Sequence, residues 1–221
     1  MQKESYFTAE NIERKAAELF QGLQTSQRKT QIHFSLRSSA LLVLDMQRYF
    51  LEPTSHANVP SARAILPGIQ ALVKAYYDLG LPVIFTRHIN TPQDAGGMGR
   101  WWRDLIRPNT SLSEITAGLD LSKGIVINKS QYDAFYKTPL EENLHQNHVS
   151  QVVISGVMTH LCCETTARTA FMRGFEVFFL IDGTATYNAE FQRASLLNLA
   201  HGFAILSRVN DILNELNYAT A

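Results

Sequence analysis

The chain has 221 residues, of which 45% are hydrophobic and 18% charged, and its twenty basic residues balance twenty acidic ones. This composition excludes a disordered chain, and the length suffices for one sizeable core. The zero net charge argues against nucleic acid or an anionic membrane surface as the partner, because both require a basic face. No apolar run approaches the roughly 20 residues of a transmembrane helix. The first fifteen residues, with Glu4, Glu10 and Glu13 among them, lack the apolar core of a signal peptide. We expect a soluble, cytoplasmic protein.

The first segment is predicted to form a helix, with Thr8 as its N-cap. Apolar residues recur there at helical spacing: Ile12, Ala16, Leu19, Phe20 and Leu23. Residues 25–38 are polar and indicate a connection. We therefore predict an N-terminal helical extension over residues 1–37 and a main domain over residues 38–221.

From residue 40 onward, short apolar runs of strand length alternate with helical patterns. The predicted strands are 40–44, 82–86, 124–128, 151–157, 176–181 and 203–206. The predicted helices are 61–79, 139–147, 161–173, 189–200 and 209–216. Such an alternation specifies a parallel sheet with helices on both faces. The fold class is therefore α/β, as a three-layer α/β/α sandwich.

One interval, residues 87–123, interrupts this alternation and contains both tryptophans. Insertions of this length usually form a lid, a pocket wall or an oligomer contact.

Reactive side chains follow three of the predicted strands. Asp45 follows the first strand, Lys129 the third, and Cys162 comes shortly after the fourth. Ligands of open α/β sheets bind beyond the carboxyl ends of the strands. An acid, a base and a thiol are thus predicted to meet at one edge of the sheet.

The two cysteines, Cys162 and Cys163, are neighbours, which excludes a disulfide framework. If the helix begins near Thr159, Cys162 lies in its first turn, where free N–H groups stabilise a thiolate. Cys163 shares a helical face with Ala167 and Ala170, whereas Cys162 lies about 100° away on a more polar face. Cys162 is the candidate nucleophile, and Cys163 is interpreted as a packed core residue.

Three segments resemble the isochorismatase-like cysteine hydrolases: Leu-Asp-Met-Gln-Arg-Tyr-Phe at 44–50, Asn-Lys-Ser-Gln-Tyr-Asp-Ala-Phe at 128–135, and Gly-Val-Met-Thr-His-Leu-Cys-Cys-Glu-Thr-Thr-Ala-Arg at 156–168. The resemblance covers roughly residues 38–210. It implies a six-stranded parallel sheet of order 3-2-1-4-5-6 and a homodimer or larger homo-oligomer acting on a small-molecule substrate.

The resemblance also implies the site. The catalytic triad falls on Asp45, Lys129 and Cys162, a cis peptide on Val157–Met158, and an oxyanion hole on the backbone N–H groups of Met158 and Cys162. Lys129 would lower the pKa of the thiol and keep Asp45 ionised. Asp45 would take the thiol proton during attack on a carbonyl and return it to the departing amine.

Three reactions are open within this family. Metal-assisted nicotinamidases place an Asp-x-His and a second His after the second strand, whereas this chain has Thr86-Arg87-His88-Ile89-Asn90, with Arg87 in the place of the acid. We therefore expect no metal and no cofactor, and we rank nicotinamidase third. Isochorismatases cleave a vinyl ether by protonation from the Asp and lack the nucleophilic cysteine, so they rank second. Hydrolysis of a C–N bond in a small amide, carbamoyl or ureido compound ranks first.

The predicted substrate-binding residues are Gln47, Phe50, His88, Trp101, Tyr132 and Phe135, with Trp102 as a further aromatic candidate. Arg100 and Arg103 are candidates to meet a substrate carboxylate or, equally, to form a solvated rim. His160 is interpreted as a helix-start or supporting residue rather than as the catalytic base. Each aromatic residue remains open as an ordinary core or interface residue, and a non-catalytic scaffold remains the alternative to an enzyme.

Overall fold

The computed structural model describes residues 2–28, 30–102 and 104–218. For Tyr218 it describes the backbone alone. Six strands form one all-parallel sheet of order β3-β2-β1-β4-β5-β6, which confirms the predicted fold and strand order. The strands are β1 (Ser39–Leu44), β2 (Val83–His88), β3 (Ile125–Lys129), β4 (Gln151–Val157), β5 (Glu176–Ala185) and β6 (Ile205–Ser207).

Eight α-helices accompany the sheet in the described part of the chain. They are α1 (Ile12–Leu23), α2 (Arg48–Leu51), α3 (Ala62–Asp78), α4 (Met98–Trp101), α5 (Leu140–Gln146), α6 (Glu164–Met172), α7 (Ala189–Gly202) and α8 (Val209–Tyr218). A π-helical turn, Thr159–Cys163, leads into α6, and short 3₁₀ turns occupy Leu36–Ser38 and Ser111–Ser113. The short helices α2 and α4 lie in segments for which the sequence predicted no element.

The N-terminal helix begins later than predicted. Its N-cap is Asn11 rather than Thr8, because Thr8 belongs to a preceding turn. In that turn the Asn11 side chain accepts the Thr8 N–H at 2.9 Å, and the Thr8 carbonyl accepts the N–H of Ile12 at 3.1 Å.

The core consists of two clusters on opposite faces of the sheet. Successive side chains of a strand point to opposite faces, and β1 follows this rule. Leu41 and Val43 belong to a cluster with apolar residues of α3 and α8. Leu42 and Leu44 belong to a second cluster with residues of α1, α5, α6 and α7. The central strand is therefore buried on both sides, as its uninterrupted apolar sequence predicts.

The sheet reverses its winding direction between β1 and β4, which are neighbours although two strands separate them in sequence. Their backbones approach closely at Gly156, where a Cβ would lie 2.0 Å from the Leu44 carbonyl oxygen and where φ is +110°. Only glycine fits this position. The close approach places Asp45, which follows β1, beside the junction between β4 and α6.

The N-terminal segment connects two loops at this end of the sheet. Lys3 donates hydrogen bonds to the carbonyls of His56 at 2.6 Å and Asn58 at 2.9 Å. The Glu4 N–H donates to the Tyr187 carbonyl at 2.7 Å, and the Tyr6 hydroxyl accepts the N–H of Thr186 at 2.9 Å. Residues 3–6 thus tie the loop after α2 to the loop after β5.

None of the helices in the described ranges has both the length and the apolar character needed to cross a membrane. The division at residue 37 and the homo-oligomer stay predictions.

Candidate active site

Asp45 is held at the carboxyl end of β1 by the neighbouring strand β2. It adopts a left-handed conformation with φ of +51° and is fully buried. The Thr86 hydroxyl accepts the Asp45 N–H at 3.1 Å and donates to Asp45 Oδ1 at 2.6 Å. The second carboxylate oxygen, Oδ2, lies 2.7 Å from Lys129 Nζ, yet no hydrogen bond of good geometry reaches it from the described residues. Oδ2 therefore retains the capacity to receive a proton.

Lys129 is the last residue of β3, two strands away from β1, and its side chain is completely buried. Its ammonium donates to the Gln131 carbonyl at 2.9 Å and to Cys162 Sγ at 3.3 Å. The same nitrogen lies 3.4 Å from His88 Nδ1. Lys129 thus places a positive charge between the carboxylate and the thiol.

The electrostatics of the site favour an ion pair beside a protonated thiol. Burial raises the pKa of Asp45, but the Lys129 charge, His88 and the hydrogen bonds from Cys162 and Lys129 together outweigh burial and lower that pKa below its usual value. Burial likewise opposes the charge on Lys129, but Asp45 raises the pKa of the ammonium. For Cys162, burial and the Asp45 charge raise the pKa to about 12, against the opposing effect of Lys129.

The effect of Lys129 on the pKa of the thiol has the predicted direction, but it does not decide that pKa. The charge of Lys129 does favour the thiolate, but the removal of Cys162 from water has the larger effect. These shifts favour an ionised Asp45, a protonated Lys129 and a protonated Cys162.

The structure separates the two cysteines. The helical segment begins at Thr159, so Cys162 lies in its first turn and its side chain lines a cavity. Cys163 is fully buried in the core cluster that includes Ala167 and Ala170. Asp45, Lys129 and Cys162 lie together as the predicted triad.

The predicted oxyanion hole consists of the backbone N–H groups of Met158 and Cys162. The Val157–Met158 peptide bond is cis, and the Met158 carbonyl accepts hydrogen bonds from the N–H groups of Leu161 and Cys163. In the described ranges, no acceptor outside this helical turn takes a hydrogen bond from the N–H of Met158 or Cys162. These are the two groups predicted to form an oxyanion hole.

A cavity of about 130 Å³ opens in front of Cys162. Its lining is mainly aromatic and aliphatic: Tyr49, Phe50, His56, Ala57, His88, Asn90, Met98, Trp102, Asp104, Leu105, Ile106, Tyr132, Met158, Leu161, Cys162 and Tyr187. Of the predicted substrate-binding residues, Phe50, His88 and Tyr132 line it. The insertion 87–123 contributes several of the lining residues and so forms one of its walls.

Gln47 does not line the cavity, contrary to prediction, because both ends of its side-chain amide form hydrogen bonds with backbone groups. It is fully buried; its Nε2 donates to the carbonyls of His88 and Ser113, both at 2.9 Å. Its Oε1 accepts the N–H of His88 at 2.8 Å. Gln47 therefore fastens the insertion to the end of β2, next to His88.

Two predicted aromatic residues also lie elsewhere. Trp101 is 79% exposed, and its neighbour Trp102 takes the wall position and donates from Nε1 to the Tyr132 hydroxyl at 2.7 Å. Phe135 is buried in the core against Phe175, with ring centroids 5.9 Å apart. The difference between the two tryptophans arises because the insertion is irregular, so no periodicity indicates which side chain faces inward.

Of the two arginines predicted to meet a substrate carboxylate, the structure describes only Arg100, which does not line the cavity. Arg100 is exposed and absent from the described lining, and Arg103 lies outside the described residues. His160 stacks on Phe191 with centroids 4.3 Å apart and its Nδ1 lies 2.5 Å from the Thr186 hydroxyl oxygen. Its interpretation as a supporting residue stays a prediction.

Sequence reasoning missed two polar parts of the wall, at Tyr187 and at the pair Tyr49 and His56. The Tyr49 hydroxyl and His56 Nε2 lie 3.1 Å apart. Tyr187 follows β5 by two residues, so the rule that ligands bind at the carboxyl ends of strands could have identified it. Tyr49 and His56 lie in the irregular segment around α2, which carries no comparable signal.

The sequence matches the family model of the isochorismatase domain over residues 39–211. The protein belongs to the isochorismatase family. It is 43% identical over 173 residues to a nicotinamidase 3 of Arabidopsis thaliana. This alignment covers 76% of this chain and 83% of the relative. Among solved structures, a cysteine hydrolase from Pseudomonas syringae pv. phaseolicola 1448A matches with a TM-score of 0.83 and 26% identity, over 88% of this chain and 99% of the other.

Another solved relative of this isochorismatase-family protein is a pyrazinamidase of Pyrococcus horikoshii in complex with zinc. It matches with a TM-score of 0.70 and 27% identity, over 77% of this chain and 99% of the other. Metal-assisted members of the family therefore raise the question of whether the residues present here fit a metal ion.

The potential ligands Asp45, His88 and Cys162 lie within 4.8 Å of one another, but their arrangement does not fit a divalent cation. The Lys129 ammonium lies among them, within 3.4 Å of one atom of each, so a cation already occupies the space between the three ligands. Counted back from His88, the acidic position of an Asp-x-His motif falls on Thr86 rather than on Arg87, and the Thr86 hydroxyl is engaged with Asp45.

Proposed function

We propose that this protein is a cysteine hydrolase that cleaves the C–N bond of a small amide, carbamoyl or ureido compound. One observation carries the proposal: Cys162 Sγ lies at the cavity wall, 3.3 Å from the ammonium of a buried Asp45–Lys129 pair. A nucleophile, a proton acceptor and a charge that keeps the acceptor ionised are thus adjacent.

The first step is attack of the sulfur on the substrate carbonyl carbon. Because the pKa of Cys162 is raised to about 12, the thiol proton leaves for Asp45 as the C–S bond forms, rather than beforehand. The electron pair of the carbonyl moves onto its oxygen. The N–H groups of Met158 and Cys162 are placed to receive this oxyanion, and each such donor contributes about 3 kcal/mol to transition-state stabilisation.

The second step expels the amine. As the C–N bond breaks, Asp45 returns its proton to the departing nitrogen, and a thioester on Cys162 remains. Water then attacks the thioester with Asp45 again as the base, which releases the acid and restores the thiol. Lys129 stays protonated throughout and compensates the changing charge of Asp45.

The size of the cavity favours a substrate no larger than one substituted ring. An apolar cavity of about 150 Å³ accommodates benzene, and this one measures about 130 Å³. The 43% identity to a nicotinamidase supports an aromatic carboxamide as the substrate. Hydrolysis of nicotinamide therefore ranks higher than the third place that it took from the missing metal motif. Nicotinamide is the first amide to test.

Isochorismatase chemistry is the second candidate, because residues 45–50 match its Asp-Met-Gln-Arg-Tyr-Phe string. There Asp45 would protonate a vinyl ether, and the thiol would be only part of the wall. The two candidates differ in their dependence on Cys162.

The test measures ammonia release from nicotinamide, ureides and carbamoyl compounds, and turnover of isochorismate, by the wild type and by Cys162→Ser. We expect amide turnover, and a decrease of at least about 1,000-fold in Cys162→Ser, since the acyl-enzyme cannot form efficiently. Mass spectrometry of substrate-soaked protein should show an adduct on Cys162. Cys163→Ala is the control and should retain activity. Efficient isochorismate turnover that survives Cys162→Ser would overturn the amide proposal.

A further inference from the structure

Tyr187 presents an unpaired hydroxyl to the cavity. The residue is only 8% exposed and lines the cavity wall. The other two phenols of the wall are already engaged, Tyr49 with His56 at 3.1 Å and Tyr132 with Trp102 at 2.7 Å. The Tyr187 hydroxyl, by contrast, makes no hydrogen bond to any residue in the described ranges. A polar group in the wall of a mainly apolar cavity, without a partner among the described residues, is available to orient a ligand.

The contacts of Tyr187 hold its ring in place. The Glu4 N–H donates to the Tyr187 carbonyl at 2.7 Å, and Lys3 Nζ lies 4.5 Å from the centroid of the ring. An ammonium over an aromatic face is attracted to the π electrons, so Lys3 helps to fix the orientation of the ring. Burial raises the pKa of Tyr187, so the hydroxyl keeps its proton.

Lys3 is itself fixed at both loops. Its ammonium donates to the carbonyls of His56 and Asn58 while it contacts the Tyr187 ring. The N-terminal segment therefore sets the position of the Tyr187 ring relative to the loop that carries His56. These residues precede the region matched by the family model, which begins at residue 39.

We propose that the Tyr187 hydroxyl donates a hydrogen bond to an acceptor atom of the substrate other than the scissile carbonyl. This inference rests on the proposed function and narrows its substrate class. The cavity then selects small amides that carry a second acceptor, such as a ring nitrogen, over amides that carry none. Lys3 is the positioning residue of this contact.

The experiment measures binding by calorimetry in the Cys162→Ser background, where turnover does not interfere. The probes are picolinamide, nicotinamide and isonicotinamide, which place a ring nitrogen at three positions, and benzamide, which has the same shape without it. We expect the best of the three to bind about tenfold more tightly than benzamide, the difference that one hydrogen bond commonly makes. Adding Tyr187→Phe should reduce this ratio to within about twofold and leave benzamide binding unchanged.

Tyr136→Phe is the matched control, because Tyr136 is exposed and also carries a lysine, Lys137, over its ring. It should leave the ratio unchanged, whereas Lys3→Met should reduce it without changing benzamide binding. An unchanged ratio in Tyr187→Phe, an equal loss for all four amides, or no binding of any of them overturns the inference. If the ratio responds as expected but the wild type releases no ammonia from amides, the proposed reaction fails and the Tyr187 contact stands.

Discussion

The ammonium of Lys129 lies 2.7 Å from Asp45 Oδ2, and both side chains are completely buried. Removing two charges from water is costly, and their attraction compensates this cost only while both are present. The pair lowers the pKa of Asp45 and raises that of Lys129. The catalytic base is thereby kept ionised in a place where an isolated carboxylate would be protonated.

Removing one member of this pair should destabilise the protein. Lys129→Met leaves Asp45 as an uncompensated buried charge, so we expect the free energy of unfolding to fall by about 3–5 kcal/mol and amide hydrolysis to be lost. Urea unfolding measures the first effect. The double variant Asp45→Asn with Lys129→Met should recover much of the stability and none of the activity. A Lys129→Met protein as stable as the wild type would contradict this account.

The two cysteines should differ in their reaction with iodoacetamide. Cys162 lines the cavity and Cys163 is in the core, so peptide mass spectrometry should find Cys162 labelled first. Since the pKa of Cys162 is raised to about 12, its thiolate fraction, and with it the labelling rate, should rise about tenfold per pH unit between pH 7 and 9. A rate that is constant over this range would indicate a preformed thiolate, and faster labelling of Cys163 would refute the assignment of the nucleophile.

Gln47 should act through structure rather than through substrate contact. Gln47→Leu leaves backbone groups of His88 and Ser113 without their partner, which should lower the free energy of unfolding by about 3 kcal/mol. Gln70→Leu is the control, because Gln70 also binds a carbonyl of the insertion, that of Gly118, but in an exposed position. It should cost less than about 1 kcal/mol. An increased KM of Gln47→Leu with unchanged stability would instead support direct substrate binding.

The neighbouring tryptophans provide a matched pair for the cavity wall. Trp102→Phe removes the hydrogen bond to the Tyr132 hydroxyl and part of the wall, so KM for the amide should rise roughly fivefold or more. Trp101→Phe should leave KM within about twofold, since Trp101 is 79% exposed and outside the described lining. Steady-state kinetics of the two variants tests this, and equal effects would place both rings in the site.

The sequence by itself determined the sheet, its helices and the triad. The continuous apolar runs of β1 and β4 specify strands buried on both faces, and the carboxyl ends of parallel strands necessarily meet at one edge. Asp45, Lys129 and Cys162 could therefore be brought together from their positions after strands. The choice between Cys162 and Cys163 followed from helical phase, because neighbours on a helix point about 100° apart.

Only the tertiary structure decided the cavity wall and the charge state of the thiol. Residues 87–123 have no regular period. That Trp102 rather than Trp101 lies in the cavity wall therefore depends on contacts with distant residues such as Tyr132. The pKa of Cys162 reflects the desolvation imposed by all the surrounding elements, which no local pattern encodes. The contact between Lys3 and Tyr187 joins residues 184 positions apart in the chain. Local periodicity fixes which face of an element is buried, whereas the paths of irregular segments depend on where the rest of the chain leaves space and partners.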